Sequence, residues 1–123
     1  MPKSVLALGL DPAVVDRSEF PGLTPELVRA YIESQLDRVR GLGYQVDNCL
    51  VDLGATAEAV TAQYLRARNF DCVVIGAALR APRQLLLFEK LLNLVHALAP
   101  AAKICFNTKP GDTIEAVQRW MET

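Results

Sequence analysis

The stretch FDCVVIGA, residues 70–77, decides the fold of this chain. Its centre, from Cys72 to Ile75, is apolar at every position, whereas a strand with one face in water alternates apolar and polar side chains. A strand that is apolar on both faces belongs in a parallel sheet that is covered by helices on both sides. Residues 70–77 therefore predict a buried strand of an α/β protein.

The rest of the chain repeats a strand-then-helix pattern around this stretch. Further strand-like runs occupy residues 4–9, 44–53 and 102–107. Helical patterns occupy residues 25–40, 56–68, 84–98 and the segment from 112 onward. Because each pair of neighbouring strands is separated by a helical crossover, the strands are expected to be parallel. The prediction is one α/β domain over residues 1–123: a three-layer αβα sandwich with a parallel four-stranded sheet, order 2-1-3-4, flavodoxin-like or Rossmann-like.

Sequence signals also place the ends of several helices. Thr24, followed by a proline and an acid, is typical of the N-cap of the first helix. Thr56 is the predicted cap of the second helix. Residues 112–115, Asp-Thr-Ile-Glu, predict a capping box at the start of the last helix.

Composition excludes several classes of protein. The 123 residues carry 13 basic and 14 acidic side chains, for a net charge of −1, and 51% of the residues are hydrophobic. This balance is typical of a globular domain and provides no basic stripe, so no nucleic-acid partner is expected. The apolar run after Lys3 is too short for a signal peptide, and no run reaches the length of about 18 residues that a membrane span needs. We therefore expect a cytoplasmic protein without a membrane partner.

Familiar cofactor and metal motifs are missing from the sequence. Cys49, Cys72 and Cys105 are widely spaced inside strand-like runs, so we expect them to be small buried hydrophobes, with a reactive thiol at Cys105 as the alternative. With His96 as the single histidine, no His/Cys metal site is predicted. Neither GxGxxG, GxxxxGK nor GxSxG occurs, which argues against a dinucleotide enzyme or a serine hydrolase and leaves the cofactor unknown.

Topology nevertheless predicts where a ligand would bind. In an open parallel sheet, ligands bind beyond the carboxyl ends of the strands where the strand order reverses, here between the first and third strands. The long connection at residues 11–23 could fold over this place. The candidate ligand-binding residues that the strands deliver there are Asp11, Gly76, Arg80, Asn107, Thr108 and Lys109.

Each of these candidates has a structural alternative. Asp11 could hold a metal or take a proton, but Asp-Pro is also a common way to leave a strand. Arg80 and Lys109 could neutralise an anion, or could be solvated at the rim. Asn107 or Thr108 could orient that anion.

Residues 71–108 resemble a response-regulator receiver domain. A buried strand, a loop with a proline, a helix ending in ALAP and a strand ending in a hydroxyl follow in the receiver order, and Lys109-Pro110 matches the receiver lysine-proline pair. The resemblance implies that Thr108 is the switch hydroxyl and Asp11 a metal-holding acid. Ala78 stands where the resemblance requires the phosphoryl-accepting aspartate, so phosphotransfer is not predicted.

The same region resembles the universal stress proteins, through FDCVVIGA, an arginine-containing loop and LLLFEKLLNLVHALAP. Their ATP-binding members carry a G-x-x-G-x9-G-S/T pattern after this strand. Only Gly76 fits that pattern, because Leu79, Glu89 and Lys90 occupy the other positions. The resemblance implies the same layered fold without implying ATP binding by that route.

The third helix is apolar around most of its circumference. Two rows of apolar residues recur at helical spacing, whereas an amphipathic surface helix needs only one. We predict a homodimer through this helix, with two-fold symmetry as the default, and a wide face packed inside a single protomer is the alternative. Trp120 is a possible second anchor. The interface candidates are Leu87, Leu91, Leu94 and Leu98.

Three hypotheses about function remain open on the sequence. The first is a non-enzymatic binding or regulatory module for a small anionic ligand. The second is a small enzyme that acts on a phosphate- or carboxylate-bearing substrate through Asp11 with Asn107, Thr108 or Lys109. The third is a structural protein-interaction module.

Overall fold

The computed structural model describes residues 2–15 and 22–121, which form four strands and four α-helices in strict alternation. Part of the predicted connection at residues 11–23 therefore lies outside the described residues. The strands are β1 Ser4–Leu10, β2 Gln45–Val51, β3 Cys72–Ile75 and β4 Lys103–Phe106. The helices are α1 Pro25–Arg40, α2 Ala57–Ala67, α3 Leu85–Leu98 and α4 Thr113–Met121.

The sheet confirms the predicted topology. Its strands are all parallel and lie in the order β2-β1-β3-β4. Leu8 of β1 lies opposite Cys49 of β2 on one side and Ile75 of β3 on the other. The strand order reverses between β1 and β3, and all four carboxyl ends lie at the same edge.

Two apolar clusters make the domain a three-layer sandwich. On one face, Leu6 and Leu8 of β1 and Ile75 of β3 pack with Leu91 and Val95 of α3 and with residues of α2. The other face is packed by α1 and α4, in a cluster whose buried members are Val5, Leu36, Val39, Val46, Cys72, Val74, Cys105, Ala116 and Val117. β3 is buried at all four positions, as expected for a strand covered on both faces.

Two of the predicted helix caps are wrong in detail. Thr24 caps α1 as expected, because its hydroxyl oxygen accepts a hydrogen bond from the Leu27 N–H at 3.2 Å. Thr56 occupies the N-cap position of α2, but its hydroxyl donates instead to the Asp52 carboxylate at 2.7 Å. The last helix begins at Thr113, after a 3₁₀ turn at Pro110–Asp112, so Asp112 accepts hydrogen bonds from residues before the helix. A short side chain that bonds to nearby backbone has several partners within reach, and the sequence does not say which one it takes.

All three cysteines are buried free thiols, as predicted for small hydrophobes. Burial raises the pKa of the Cys49 thiol to about 11. The Cys72 and Cys105 sulfur atoms lie 3.2 Å apart between β3 and β4, and neither side chain is exposed to solvent by more than 1%. Cys105 is therefore a core residue and not an accessible nucleophile.

None of the helices in residues 2–15 and 22–121 is both long and apolar enough to cross a membrane.

Candidate functional site

An open cavity of about 910 Å³ lies beyond β1 and β3, between the sheet and α1. We call it the α1 crevice. Its floor is formed by Ala7, Gly9 and Val74, and α1 covers it with Leu27, Tyr31 and Ile32. The turn after β4 closes one side with residues 107–110. Its position matches the strand-order reversal at which the topology predicts a ligand.

The crevice exists because the side chains of β1 alternate in size. Leu6, Leu8 and Leu10 point to the α2 and α3 face and fill the core there. On the α1 face the alternating positions after Val5 are Ala7 and Gly9, which reach far less from the sheet. This large-small alternation is visible in residues 4–10, SVLALGL, and was the sequence signal for an unfilled pocket that sequence reasoning missed.

The rim of the crevice is unusually apolar for a surface. Leu23, Leu27 and Tyr31 line it and remain about half exposed, with Leu27 at 56%. Lys109 is the single charged residue among the described residues that line the cavity. Concave sites with mostly apolar walls and a few polar groups are the usual form of a small-molecule pocket.

Asp11 does not line the crevice. Its carboxylate accepts a hydrogen bond from the Ala13 N–H at 3.0 Å and a charged hydrogen bond from Arg29 at 2.7 Å. The Ala13 bond, and after it the Arg29 guanidinium, hold the pKa of Asp11 below its ordinary value. The carboxylate thus forms the turn that leaves β1 and is paired to α1, which is the structural alternative foreseen for this residue.

Arg80 joins the ends of β3 and β4 and does not reach into the crevice. Its guanidinium donates to the backbone oxygens of Ile75, at 3.1 Å, and Asn107. It also lies over the Phe106 ring, 4.8 Å from the centroid. Burial lowers the pKa of Arg80, although an arginine remains charged at neutral pH. Two of its donors thus fix backbone, and the guanidinium is held outside the set of residues that line the crevice.

Asn107 lines the crevice, but its amide is engaged in the fold. The side-chain oxygen accepts from the Ala77 N–H at 3.1 Å, and the side-chain nitrogen donates to the Thr113 hydroxyl at 3.0 Å. The Thr113 hydroxyl in turn donates to the Pro110 carbonyl at 2.8 Å. This buried chain of hydrogen bonds ties the loop after β3 to the start of α4.

The hydrogen-bond donors of Thr108 are directed to a carboxylate of the same chain, that of Asp112. Its N–H donates to the Asp112 carboxylate at 2.9 Å, its hydroxyl donates to the other oxygen of the same group, and the Lys109 N–H adds a third bond at 3.3 Å. Desolvation would raise the pKa of Asp112, but these hydrogen bonds outweigh it, so the pKa is lowered. The segment Thr108-Lys109-Pro110 is therefore the exit from β4 into α4, and its donors are directed to the Asp112 carboxylate.

Lys109 and Gly76 are the candidates that remain at the crevice. The Lys109 side chain is exposed, and within the described part of the chain its ammonium has no hydrogen bond, although its positive charge helps to lower the pKa of the Asp112 carboxyl. Gly76 has a φ of −70°, and an added Cβ would meet its nearest atom, the Leu8 oxygen, at 3.5 Å. Neither its backbone conformation nor its surroundings require a glycine, so Gly76 supplies lining and no special backbone geometry.

The predicted interface leucines face the protomer's own core. Leu91 is 0% exposed, and Leu87, Leu94 and Leu98 pack against the same cluster, because the sheet and α2 together cover the wide apolar face of α3. Leu91 cannot therefore contact another protein. The large apolar residues that α3 does expose lie in its first turn, beside the end of β2. We call this surface the α3 patch: Leu53, Leu85 and Leu86.

In comparisons with known proteins, no protein-family model matches this chain, and no curated protein sequence is significantly similar to it. Across residues 2–15 and 22–121, His, Cys, Asp and Glu side chains do not form any group of three that could hold a metal ion. The assignment of a function therefore depends on the crevice and its chemistry.

Proposed function

We propose that this domain is a non-enzymatic binding module for a small molecule with a mainly apolar body. The observation that carries the proposal is the α1 crevice itself, a cavity of about 910 Å³ whose rim holds Leu23, Leu27 and Tyr31 half exposed. An apolar ligand would remove these side chains from water, which stabilises the complex by about 25 cal/mol for each Å² buried. A small, strongly hydrated anion would gain little from such walls.

Of the anionic ligand that the sequence predicts, the proposal keeps a single anionic group. Lys109 is the single described charge that lines the cavity, so the site suits one anionic group on an otherwise apolar ligand. Arg80, whose guanidinium bonds to the backbone oxygens of Ile75 and Asn107, does not line the cavity, so we expect no contact between it and the ligand.

The engagement of the polar side chains argues against the enzyme hypothesis. A general base must reach the proton that it abstracts, and a nucleophile needs a base beside it. Asp11 is paired with Arg29 and does not line the crevice, and the Thr108 hydroxyl donates to Asp112. The residues that could have formed a catalytic set are thus used to build the loops around the site.

Substitution of Leu27 tests the proposal against a matched control. Leu27 lines the crevice and is 56% exposed, whereas Leu42 is 50% exposed in the turn between α1 and β2, near the opposite edge of the sheet. Nile red, a neutral dye whose emission shifts to the blue in apolar surroundings, serves as the probe. We expect Leu27→Asp to weaken dye binding by about tenfold, because a charge replaces part of the apolar wall.

Leu42→Asp should leave the dye affinity at the wild-type value, with both variants equally folded by circular dichroism. Equal affinities for the wild type and Leu27→Asp would contradict binding in the α1 crevice.

We also propose a homodimer, now through the α3 patch instead of the buried leucines. Leu53, Leu85 and Leu86 are each more than half exposed, and Leu86 reaches 71%. Glu58 and Lys90, which lie 3.8 Å apart, flank the patch with opposite charges. A two-fold interface places the same surface on both sides, so a patch that carries both signs can complement itself.

Light scattering during gel filtration tests the dimer. The wild-type protein should have twice the mass of the chain, and Leu86→Glu should convert it to a monomer because the two introduced carboxylates would lie near the two-fold axis. Leu42→Glu is the control and should remain dimeric. A monomeric wild type at micromolar concentration would refute the proposal.

The remaining assignments concern location and ancestry. A cytoplasmic location is supported by three buried free cysteines, which suit a reducing compartment. The likeness to receivers and universal stress proteins stays a proposal about the origin of the fold. No phosphoryl transfer or ATP binding is carried over from it, because Ala78 lacks the acceptor carboxylate and Leu79, Glu89 and Lys90 break the nucleotide pattern.

A further inference from the structure

We infer that the ligand of the α1 crevice is an apolar carboxylic acid, whose carboxylate is bound at the rim by the Lys109 ammonium and the Tyr31 hydroxyl. The inference rests on the proposed function and specifies the chemical class of its ligand. It follows from three features of the site: the two donors at the rim, the internal anion at Asp112, and the apolar interior.

The two donors come from different elements that meet at one side of the crevice. Tyr31 lies on α1 and lines the cavity, and its hydroxyl oxygen lies 3.1 Å from the position that a Cβ atom would take at Gly111. Gly111 is two residues from Lys109, which lines the cavity from the turn after β4. The phenol of α1 thus reaches the turn that presents the ammonium.

Both donors are available to a ligand. Among the described residues, neither the Tyr31 hydroxyl nor the Lys109 ammonium has a hydrogen-bond partner, whereas Asn107, Thr108 and Thr113 in the same wall are all engaged with one another or with Asp112. A charged donor and a neutral donor that line the same side of the cavity suit the two oxygens of a carboxylate.

A phosphate ester is disfavoured at the same place. The groups that usually bind phosphate before a helix are consecutive backbone N–H groups and a hydroxyl. Here the N–H groups of Thr108 and Lys109 and the Thr108 hydroxyl already donate to the Asp112 carboxylate. An anion at this place lies beside the Asp112 carboxylate, whose charge the nearby Lys109 and Arg80 side chains partly offset. A dianion would be repelled by that carboxylate more strongly than a single negative charge.

The interior of the crevice indicates the chemical character of the rest of the ligand. Behind the two donors the walls are formed by aliphatic side chains and by small residues of the strand ends. The lining residues that the strands and the turn after β3 contribute on this face are Ala7, Gly9, Leu50, Val74, Gly76 and Ala77. An aliphatic chain or an aromatic ring attached to the carboxylate would occupy this space.

Competition against bound Nile red tests the inference with a matched set of ligands: dodecanoate, its methyl ester and dodecyl phosphate, at pH 8. We expect dodecanoate to displace the dye at a concentration about five- to tenfold lower than the methyl ester, the range for one partly exposed ion pair with one further hydrogen bond. Dodecyl phosphate should be no better than the ester.

Substitutions then show which residues cause the preference for the acid over the ester. Lys109→Met should reduce the difference between acid and ester to about threefold or less while leaving the affinity of the ester unchanged, and Tyr31→Phe should reduce that difference by about threefold. Lys103→Met, which removes an exposed lysine at the start of β4, is the control and should keep the full preference.

The outcomes separate this inference from the proposed function. If none of the three compounds displaces the dye, or the dye does not bind, the proposed function itself fails. If the ester binds as tightly as the acid, the phosphate binds best, or Lys109→Met keeps the preference, the carboxylate inference is overturned while binding in the crevice stands.

Discussion

Replacing Leu91 by alanine is expected to lower the free energy of unfolding by about 2–5 kcal/mol, the range for deleting a large side chain from a packed core. Leu91 is 0% exposed and lies in the cluster formed by the sheet, α2 and α3. The substitution removes its apolar contacts and leaves a cavity that the surrounding strands cannot fill. Urea denaturation followed by circular dichroism measures the change.

Leu86→Ala is the matched comparison on the same helix. Leu86 is 71% exposed, so its removal should change the free energy of unfolding by no more than about 0.5 kcal/mol in a monomeric sample. The pair distinguishes a core role from a surface role for α3. A small effect at Leu91 together with a large one at Leu86 would mean that α3 packs the other way round.

Replacing Asn107 by alanine is the second change with a large expected effect. The substitution leaves the Ala77 N–H without its acceptor and the Thr113 hydroxyl without its donor, in a place where Asn107 is only 8% exposed. An unsatisfied buried polar group costs about 1–3 kcal/mol, and the same decrease in the free energy of unfolding is expected here. Urea denaturation of the variant and of the wild type gives the difference in the free energy of unfolding.

Asn93→Ala provides the control for the same chemical change. Asn93 is exposed on α3, and its amide donates to the Glu89 carbonyl one turn earlier, at 2.9 Å. Alanine also has the higher helix propensity, so this substitution should be neutral or slightly stabilising. If Asn107→Ala were equally neutral, the hydrogen bonds between the β3 loop and α4 would not hold the site together.

The sequence alone was sufficient to predict the architecture. β3 is apolar at every position, and the four strand-helix alternations leave few possible topologies, so the order β2-β1-β3-β4 followed from general rules of connection. The place of the crevice followed from the same topology. These features depend on residue patterns that repeat along the chain, so an unexpected residue at one position does not change the predicted topology.

The roles of individual site residues could not be predicted in the same way. The Asp11 carboxylate is hydrogen-bonded to Arg29, which lies 18 positions away in the sequence. The Arg80 guanidinium is hydrogen-bonded to a backbone oxygen 27 positions away. The Thr108 hydroxyl donates to the Asp112 carboxylate, which is one of several acceptors within its reach. Whether a polar side chain is free for a ligand depends on such pairings, and a single sequence does not specify them.

The apolar character of the site was missed for a different reason. The polar residues at the strand ends predict an anionic ligand, and that stays a prediction. The size alternation in β1 and the half-exposed Leu27 and Tyr31 of α1 add apolar walls to the same cavity, which the polar residues alone do not predict. The wide apolar face of α3 was likewise assigned to a partner, although the sheet and α2 cover it. Both features depend on how one element packs against another, which the residue spacing within a single element does not specify.

The most direct test of the central claim is an NMR titration of the ¹⁵N-labelled protein with Nile red. If the ligand binds in the α1 crevice, the amide signals that shift most should belong to residues at its floor and rim, such as Gly9, Ala77, Tyr31 and Lys109. Signals of Leu53 and Leu86, which form the other exposed apolar surface, should stay in place. Shifts concentrated at Leu53 and Leu86, with none around Gly9 and Ala77, would contradict the proposal that the crevice is the binding site.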